Sequence, residues 1–481
     1  MTLAAPPSTA APTDPGPELR RILDLQRAAF HRDGPPDVEL RRDRLRRLRR
    51  AIGDRRDEIV AAVAADFGRR SRYETLIGDL MPTVQGIDHA IRNLPRWMRP
   101  ERRGVAPYFR PGRARVIHQP LGVVGIIASW NYPVFLALSP LVSALAAGNR
   151  AMLKPSELTP ATSALLAGII RAAFAPEEVA VVPGGIETGK AFARLPFDHL
   201  VFTGSTSVGR EVMRAASEHL VPVTLELGGK SPAIVGPGYP LEQAAPRIAV
   251  GKLFNAGQTC IAPDYALVPA TRVEAFAERF AAAAARCFPR LGGSSDYSPV
   301  LNDRHYERLL GLVADARARG ARVIEVDPAG EGPALRDARV VPPTLILDPP
   351  EEALAMRDEI FGPVLPVKGY HDLEEAIAYV NARPRPLALY VFGDRRTTRE
   401  VLRRTTSGGV TVNHTMLHIL QDDLPFGGVG PSGTGAYHGR DGFRRLSHAK
   451  AVFEARLLDP SRPLWPPYGR LADRVLGWLV K

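Results

Sequence analysis

Between positions 41 and 63 the apolar residues Leu45, Leu48, Ile52, Ile59 and Val63 recur at helical spacing, with arginines between them. The stretch reads as an amphipathic helix whose arginines form its solvated face. Helical spacing runs through residues 17–94 in two or three segments, and Pro95 supplies a natural stop. Residues 100–119 mix Pro, Gly and Arg with Val105, Tyr108, Phe109 and Val116, which suits a ribbon or hairpin arm better than core. From Val123 the period changes. Short apolar runs at 123–128, 151–153, 179–182, 199–202 and 223–225 alternate with helical stretches at 133–147, closed by Gly148, and at 159–174 and 207–219. Strands alternating with helices imply βαβ units and a parallel sheet. Such sheets bind nucleotides beyond the carboxyl ends of their strands.

After Gly228-Gly229 the alternation restarts, with a helix at 241–255, a strand at 266–268 and an alanine-rich helix at 273–287. Further α/β units continue to residues 410–413, and a glycine-rich loop follows at 424–430. The last residues, 457–481, hold a short amphipathic helix with Leu471, Val475, Trp478 and Leu479. Packing on the protein's own surface near the substrate entrance is the expected use of that helix, with contact to a membrane surface as the alternative.

A length of 481 residues exceeds one core and predicts two or three domains. The net charge of +12 raises the question of nucleic acid. The excess is nearly all arginine spread along the chain, and no nucleic-acid-binding signature accompanies it. Residues 1–17, rich in Ala, Pro and Thr, read as a disordered tail rather than a signal peptide. No apolar run reaches the roughly 18 residues of a membrane span, and a cytoplasmic protein is expected. The two cysteines, Cys260 and Cys287, cannot build a disulfide framework, and no Cys/His cluster has metal-ligand spacing.

Candidate chemistry centres on Phe254-Asn255-Ala256-Gly257-Gln258-Thr259-Cys260-Ile261-Ala262-Pro263. Small, turn-prone residues let a ligand approach the thiol, which acts as a nucleophile once deprotonated. A buried, inert cysteine is the alternative. Asn131, in Ser129-Trp130-Asn131-Tyr132-Pro133 after a strand, can donate to an oxyanion or simply cap a helix. Lys154-Pro155-Ser156-Glu157 offers a cation and an acceptor for ribose hydroxyls, or a surface ion pair. Phe202-Thr203-Gly204-Ser205-Thr206-Ser207-Val208-Gly209 runs from a strand into a helix start that can hold phosphate, without the full glycine fingerprint. Glu226 ends an apolar strand in Glu226-Leu227-Gly228-Gly229, where a part-buried carboxylate can serve as a general base. Glu359 and Phe361, in Asp358-Glu359-Ile360-Phe361-Gly362-Pro363, add a carboxylate and a ring ahead of a turn.

Taken together and in this order, these motifs resemble the aldehyde dehydrogenase superfamily over residues 20–455. The short N-terminal region and the run LPFGGVGPSGTGAYH at 424–438 are similar to its class 3 branch. Gln421-Asp422-Asp423 and Ala262-Pro263-Asp264-Tyr265 are similar to the bacterial coniferyl aldehyde dehydrogenases. The resemblance implies an α/β fold with a Rossmann-type cofactor domain (18–99 and 120–227), a catalytic domain (228–413), an oligomerisation arm (100–119 and 440–456) and a C-terminal tail (457–481). It implies Cys260 as nucleophile, an oxyanion hole from Asn131 and the Cys260 amide, and Glu226 as the base for water. Lys154 and Glu157 would hold the adenosine ribose, Gly204, Ser205 and Gly209 would lie near the pyrophosphate, and Glu359 and Phe361 would position the nicotinamide ribose and ring. Trp130 and Leu227 also fall at functional positions of the family. The implied reaction is NAD- or NADP-dependent oxidation of an aromatic or bulky apolar aldehyde to the acid by a homodimer. Glu157, accepting from a free 2′-hydroxyl and repelling a 2′-phosphate, points to NAD, although the class 3 branch often accepts both. An acylating, coenzyme A-dependent enzyme and a non-catalytic binding protein on the same fold are the alternatives. His414, His418, His438 and His448 have no required role and are expected at the surface or behind the site, and Cys287 is expected to pack.

Overall fold

A computed structural model describes residues 14–456 and 461–480. Most of the expected N-terminal tail lies outside the described residues, and a helix already begins at Gly16. The helices Gly16–Asp33, Val38–Asp54, Arg56–Phe67 and Met81–Trp97 form the N-terminal layer. Leu45, Leu48, Ile52, Ile59 and Val63 all point into one core with Ile87, Leu94 and the apolar helix Phe135–Ala147.

Two local expectations fail for related reasons. The arginine run is not wholly a solvated face, because Arg41 and Arg44 are buried. Arg41 donates to the carbonyls of Ala146 (3.0 Å) and Ala147 (2.8 Å), capping the open end of the helix Phe135–Ala147. Burial lowers its guanidinium pKa to about 10, so it stays charged at neutral pH. Arg44 pairs with Glu178 at 2.9 Å. Pro95 does not stop its helix, which continues to Trp97. A proline in the last turn frees the carbonyl four residues back, and that carbonyl, on Ile91, accepts from Arg42 Nε at 3.2 Å.

The first α/β sheet has five parallel strands in the order Val223–Glu226, His199–Thr203, Val123–Ile127, Arg150–Lys154 and Val179–Val181, plus a short antiparallel edge strand Gly433–Thr434. The chain starts at Val123–Ile127 and winds outward first one way and then the other. Val123–Ile127 and His199–Thr203 therefore flank a topological switch point, where a crevice opens beyond the strand ends. The second sheet has seven strands in the order Arg322–Glu325, Thr344–Leu347, Val364–Tyr370, Tyr265–Pro269, Pro232–Val235, Ala388–Phe392 and Gly409–Val412, all parallel but the first. The fold is α/β with mixed sheets.

The ribbon is a three-stranded antiparallel sheet in which Arg113–Pro120 lies between Glu101–Arg103 and Ser447–Glu454. The C-terminal helix, Arg470–Leu479, departs from expectation: Ala472 alone is buried, and Leu471, Leu476 and Trp478 face solvent. Cys287 is exposed rather than packed. His448 is exposed and His414 half-buried, while His418 and His438 are buried within aromatic stacks on Phe426.

Candidate active site

The loop that carries Cys260 is held in a strained shape. Asn255, Ala256 and Gly257 all have positive φ, at 53°, 49° and 73°, a conformation that costs non-glycine residues energy. A Cβ on Gly257 would stand 2.2 Å from the Gly362 carbonyl oxygen, so only glycine fits. Buried hydrogen bonds maintain the shape. The Asn255 amide donates to Glu74 Oε1 (2.7 Å), and the Gln258 side chain bonds to Asn255 O, Pro299 O and Leu301 N at 3.0 Å each. Thr259 Oγ1 meets Tyr132 Oη at 2.6 Å.

Asn131 reaches this loop from the end of strand Val123–Ile127. Its Nδ2 donates to Gln258 O at 3.2 Å, and its own carbonyl accepts from Arg70 (2.8 Å) and Asn255 Nδ2 (3.1 Å). One hydrogen on Asn131 Nδ2 remains for a ligand. Glu226, last residue of its strand, is buried, and neither carboxylate oxygen has a partner. Burial pushes its carboxyl pKa well up. Cys260, Asn131 and Glu226 line one cavity of about 220 Å³, together with Trp130, Gly204, Ser205, Leu227, Glu359 and Phe361. Burial, with the charges of Glu359 and Glu226 adding to it, pushes the Cys260 thiol up to about 12. Burial thus favours the thiol over the thiolate at Cys260 and the protonated over the ionised carboxyl at Glu226.

A cleft of about 870 Å³ at the switch point shares Trp130, Gly204 and Ser205 with this cavity, and Lys154 and Glu157 line it farther out. Lys154 Nζ donates to Glu157 Oε2 at 2.7 Å. Ser205 caps the helix Thr206–Ser217 through the Val208 amide (3.4 Å). Gly209 lines neither space. A Cβ there would lie 2.6 Å from Leu227 Cδ2, so this glycine serves the packing of helix on strand end.

Residues 16–452 match the profile described as the Aldehyde dehydrogenase family. The chain belongs to the aldehyde dehydrogenase family. It is 52% identical over 469 residues to a probable coniferyl aldehyde dehydrogenase of Caulobacter vibrioides, covering 96% of this chain and 97% of that one. It is 46% identical to a coniferyl aldehyde dehydrogenase of a Pseudomonas species, covering 96% of each. Among solved structures, substrate-bound AldH of Staphylococcus aureus superposes with a TM-score of 0.90 at 35% identity, covering 96% of this chain and 99% of that one. This aldehyde dehydrogenase oxidises an aldehyde with NAD or NADP.

The dehydrogenase's own geometry fits a dinucleotide. The cleft adjoins the thiol's cavity at Trp130, Gly204 and Ser205, a helix start and the Glu157 carboxylate line the cleft, and an aromatic pair lines the cavity. Trp130 and Phe361 meet edge to face at 5.4 Å, and Phe361 holds a positive φ of 50°.

Sequence patterns did not single out the groups that set this segment. Arg308 donates to the carbonyls of Glu359 (3.2 Å) and Ile360. Asp264 Oδ1 accepts from the Ile360 amide at 2.9 Å, and Lys230 bridges Asp264 to Ala355 O and Asp358 O. Burial, reinforced by Asp264, raises Glu359 to about 8. His305 was also missed. It packs on Trp130 at 5.1 Å and lines both the cleft and the cavity. Arg304-His305-Tyr306-Glu307-Arg308 looks like any charged helix start, and only the tertiary fold turns Arg304, His305 and Arg308 to the site.

Proposed function

We propose that Cys260 is the nucleophile, Asn131 Nδ2 and the Cys260 backbone amide form the oxyanion hole, and Glu226 activates the deacylating water. One observation carries this reading: three groups with complementary chemistry converge on one cavity, and the Glu226 oxygens there lack any protein partner. Such an orphaned buried carboxyl is costly unless a water or ligand completes it.

Cys260 gives up its thiol proton to solvent in the cleft, the sulfur adds to the aldehyde carbon, and the amide donors hold the resulting oxyanion in a preorganised site. The hydride that leaves the thiohemiacetal carbon on Cys260 would pass to nicotinamide, which supplies the electron sink when bound. Glu359 and Phe361 would hold its ribose and ring, Trp130 and Leu227 wall the same cavity, and Gly204 and Ser205 would receive the pyrophosphate. A thioester then remains on Cys260. Glu226 takes a proton from water, the hydroxide attacks the thioester carbon, and the acid leaves as the thiol is restored. A base poised at the thioester favours hydrolysis over transfer to coenzyme A.

The substrate reading is an aromatic or bulky apolar aldehyde such as coniferyl aldehyde. The names of the relatives support it. An aldehyde panel followed by cofactor reduction tests it. Coniferyl aldehyde and benzaldehyde should exceed acetaldehyde in kcat/KM, and the reverse order would refute the assignment.

NAD is the preferred cofactor in this reading. Burial raises the Glu157 pKa, but the Lys154 ammonium outweighs it, and the net shift is downward. Glu157 is therefore ionised at neutral pH, accepts from a free 2′-hydroxyl and repels a 2′-phosphate. Lys190 and Arg194 line the same cleft and temper that repulsion. Glu157→Gln should move the kcat/KM ratio toward NADP by about tenfold. An unchanged ratio would remove Glu157 from the discrimination.

A homodimer and a cytoplasmic location complete the proposal. The arm sheet presents exposed Tyr108, Phe109 and Phe453, an apolar face suited to a second copy. A thiol nucleophile suits a reducing compartment, and among the described residues no helix is long and apolar enough to cross a membrane.

A further inference from the structure

Two of the four tryptophans in the chain, Trp465 and Trp478, lie near its C-terminal end. They are 57% and 73% exposed, whereas Trp97 is buried and Trp130 half-buried. Tyr468, Leu471, Leu476 and Val480 of the same segment are also exposed. Tryptophan is normally much buried, and an exposed one with other apolar residues on its face marks a surface that meets something.

The helix Arg470–Leu479 shows what that surface offers. Ala472 is buried, and Val475 and Leu479 are half-buried, which defines the side that faces the protein. Leu471 and Trp478 are about two turns apart and share one outward stripe. Arg470 and Arg474 lie on the far flank of that stripe from the packed side. Residues 461–481 contain four basic residues, Arg462, Arg470, Arg474 and Lys481, against one acid, Asp473. Exposed indole and leucine bordered by arginine suit the headgroup layer of a membrane, where the rings sit at the boundary and the guanidinium groups meet lipid phosphate. A ten-residue helix is about 15 Å long, too short to cross a bilayer and long enough to lie in its surface.

We propose that residues 461–480 dock this enzyme peripherally on an anionic lipid bilayer, with Leu471 and Trp478 inserted at the headgroup boundary and Arg470 and Arg474 on lipid phosphates. Neither the catalytic assignments nor the substrate reading is needed for this. The same stripe could instead be covered by a second copy of the chain, and the test separates the two.

The full-length enzyme is sedimented with phosphatidylcholine vesicles, with or without about one part in three of phosphatidylglycerol. The parent should pellet with the anionic vesicles and far less with the neutral ones, and should be released by salt, since each arginine at such a surface contributes about fivefold. Leu471→Glu/Trp478→Glu should weaken vesicle binding by at least about tenfold while leaving turnover unchanged. Arg470→Glu/Arg474→Glu should lose the preference for anionic lipid. Three results overturn the proposal. The parent stays in the supernatant with anionic vesicles. The Leu471→Glu/Trp478→Glu variant binds as tightly as the parent, so that the general positive charge is responsible. Or that variant runs as a smaller species than the parent on sizing in the absence of lipid, so that the stripe is an interface between copies.

Discussion

Cys260→Ala removes dehydrogenase turnover, by at least about 10⁴-fold, while Cys287→Ala leaves it unchanged. The contrast follows from placement. Cys260 lies in the cavity with Asn131 and Glu226, on a loop whose three positive-φ residues are fixed by Glu74 and Gln258. Cys287 is exposed at the end of the helix Val273–Cys287. Iodoacetamide should inactivate the enzyme in step with alkylation of Cys260, read by peptide mass. Substantial turnover in Cys260→Ala would remove the covalent route altogether, because no other thiol lies in the cavity.

Glu226→Gln lowers steady-state turnover by about 10²- to 10⁴-fold, the range for loss of a general base. The substitution keeps the shape of the residue and removes its ability to take a proton. Attack by Cys260 and departure of hydride precede the entry of water, so a rapid burst of reduced cofactor persists, about one per active site. The pH dependence follows from burial. The Glu226 pKa is raised, so the carboxyl is protonated and inactive as a base at low pH. The deacylation-limited rate therefore rises with pH through that raised pKa, and in Glu226→Gln this limb disappears. Near-parental turnover in the variant would make Glu226 structural.

Much of the architecture is visible in the sequence because it rests on local periodicity. Leu45, Leu48, Ile52, Ile59 and Val63 mark a buried helix face, and the short apolar runs from Val123 to Leu225 fall on the strands of the first sheet. The residues proposed for the chemistry stand out in the sequence for a different reason. Cys260, Asn131, Glu226, Lys154 and Glu359 each stand at a strand end or turn, where such a side chain is conspicuous.

What remained hidden depends on partners distant in sequence. Arg41 looks like a solvated arginine until the open end of the helix Phe135–Ala147, about a hundred residues on, supplies its acceptors. Pro95 looks like a helix stop until Arg42 takes up the Ile91 carbonyl. Arg308 and His305 sit in an ordinary charged helix start, and their value comes from facing the Glu359 segment and Trp130. Gly209 fits a phosphate loop in sequence, but Leu227 occupies the space next to it. The amphipathic C-terminal helix suggested packing by its pattern. Amphipathicity shows that one face is covered by something, and not by what.

The most direct test of the central claim is the mass of Glu226→Gln mixed with benzaldehyde and NAD and quenched after the burst. The account predicts a benzoyl adduct on Cys260, stoichiometric with the reduced cofactor formed and absent when NAD is omitted. Reduced cofactor without an adduct on Cys260 would contradict covalent catalysis at this thiol. Absence of both would place Glu226 before hydride transfer, as the base that deprotonates Cys260 itself.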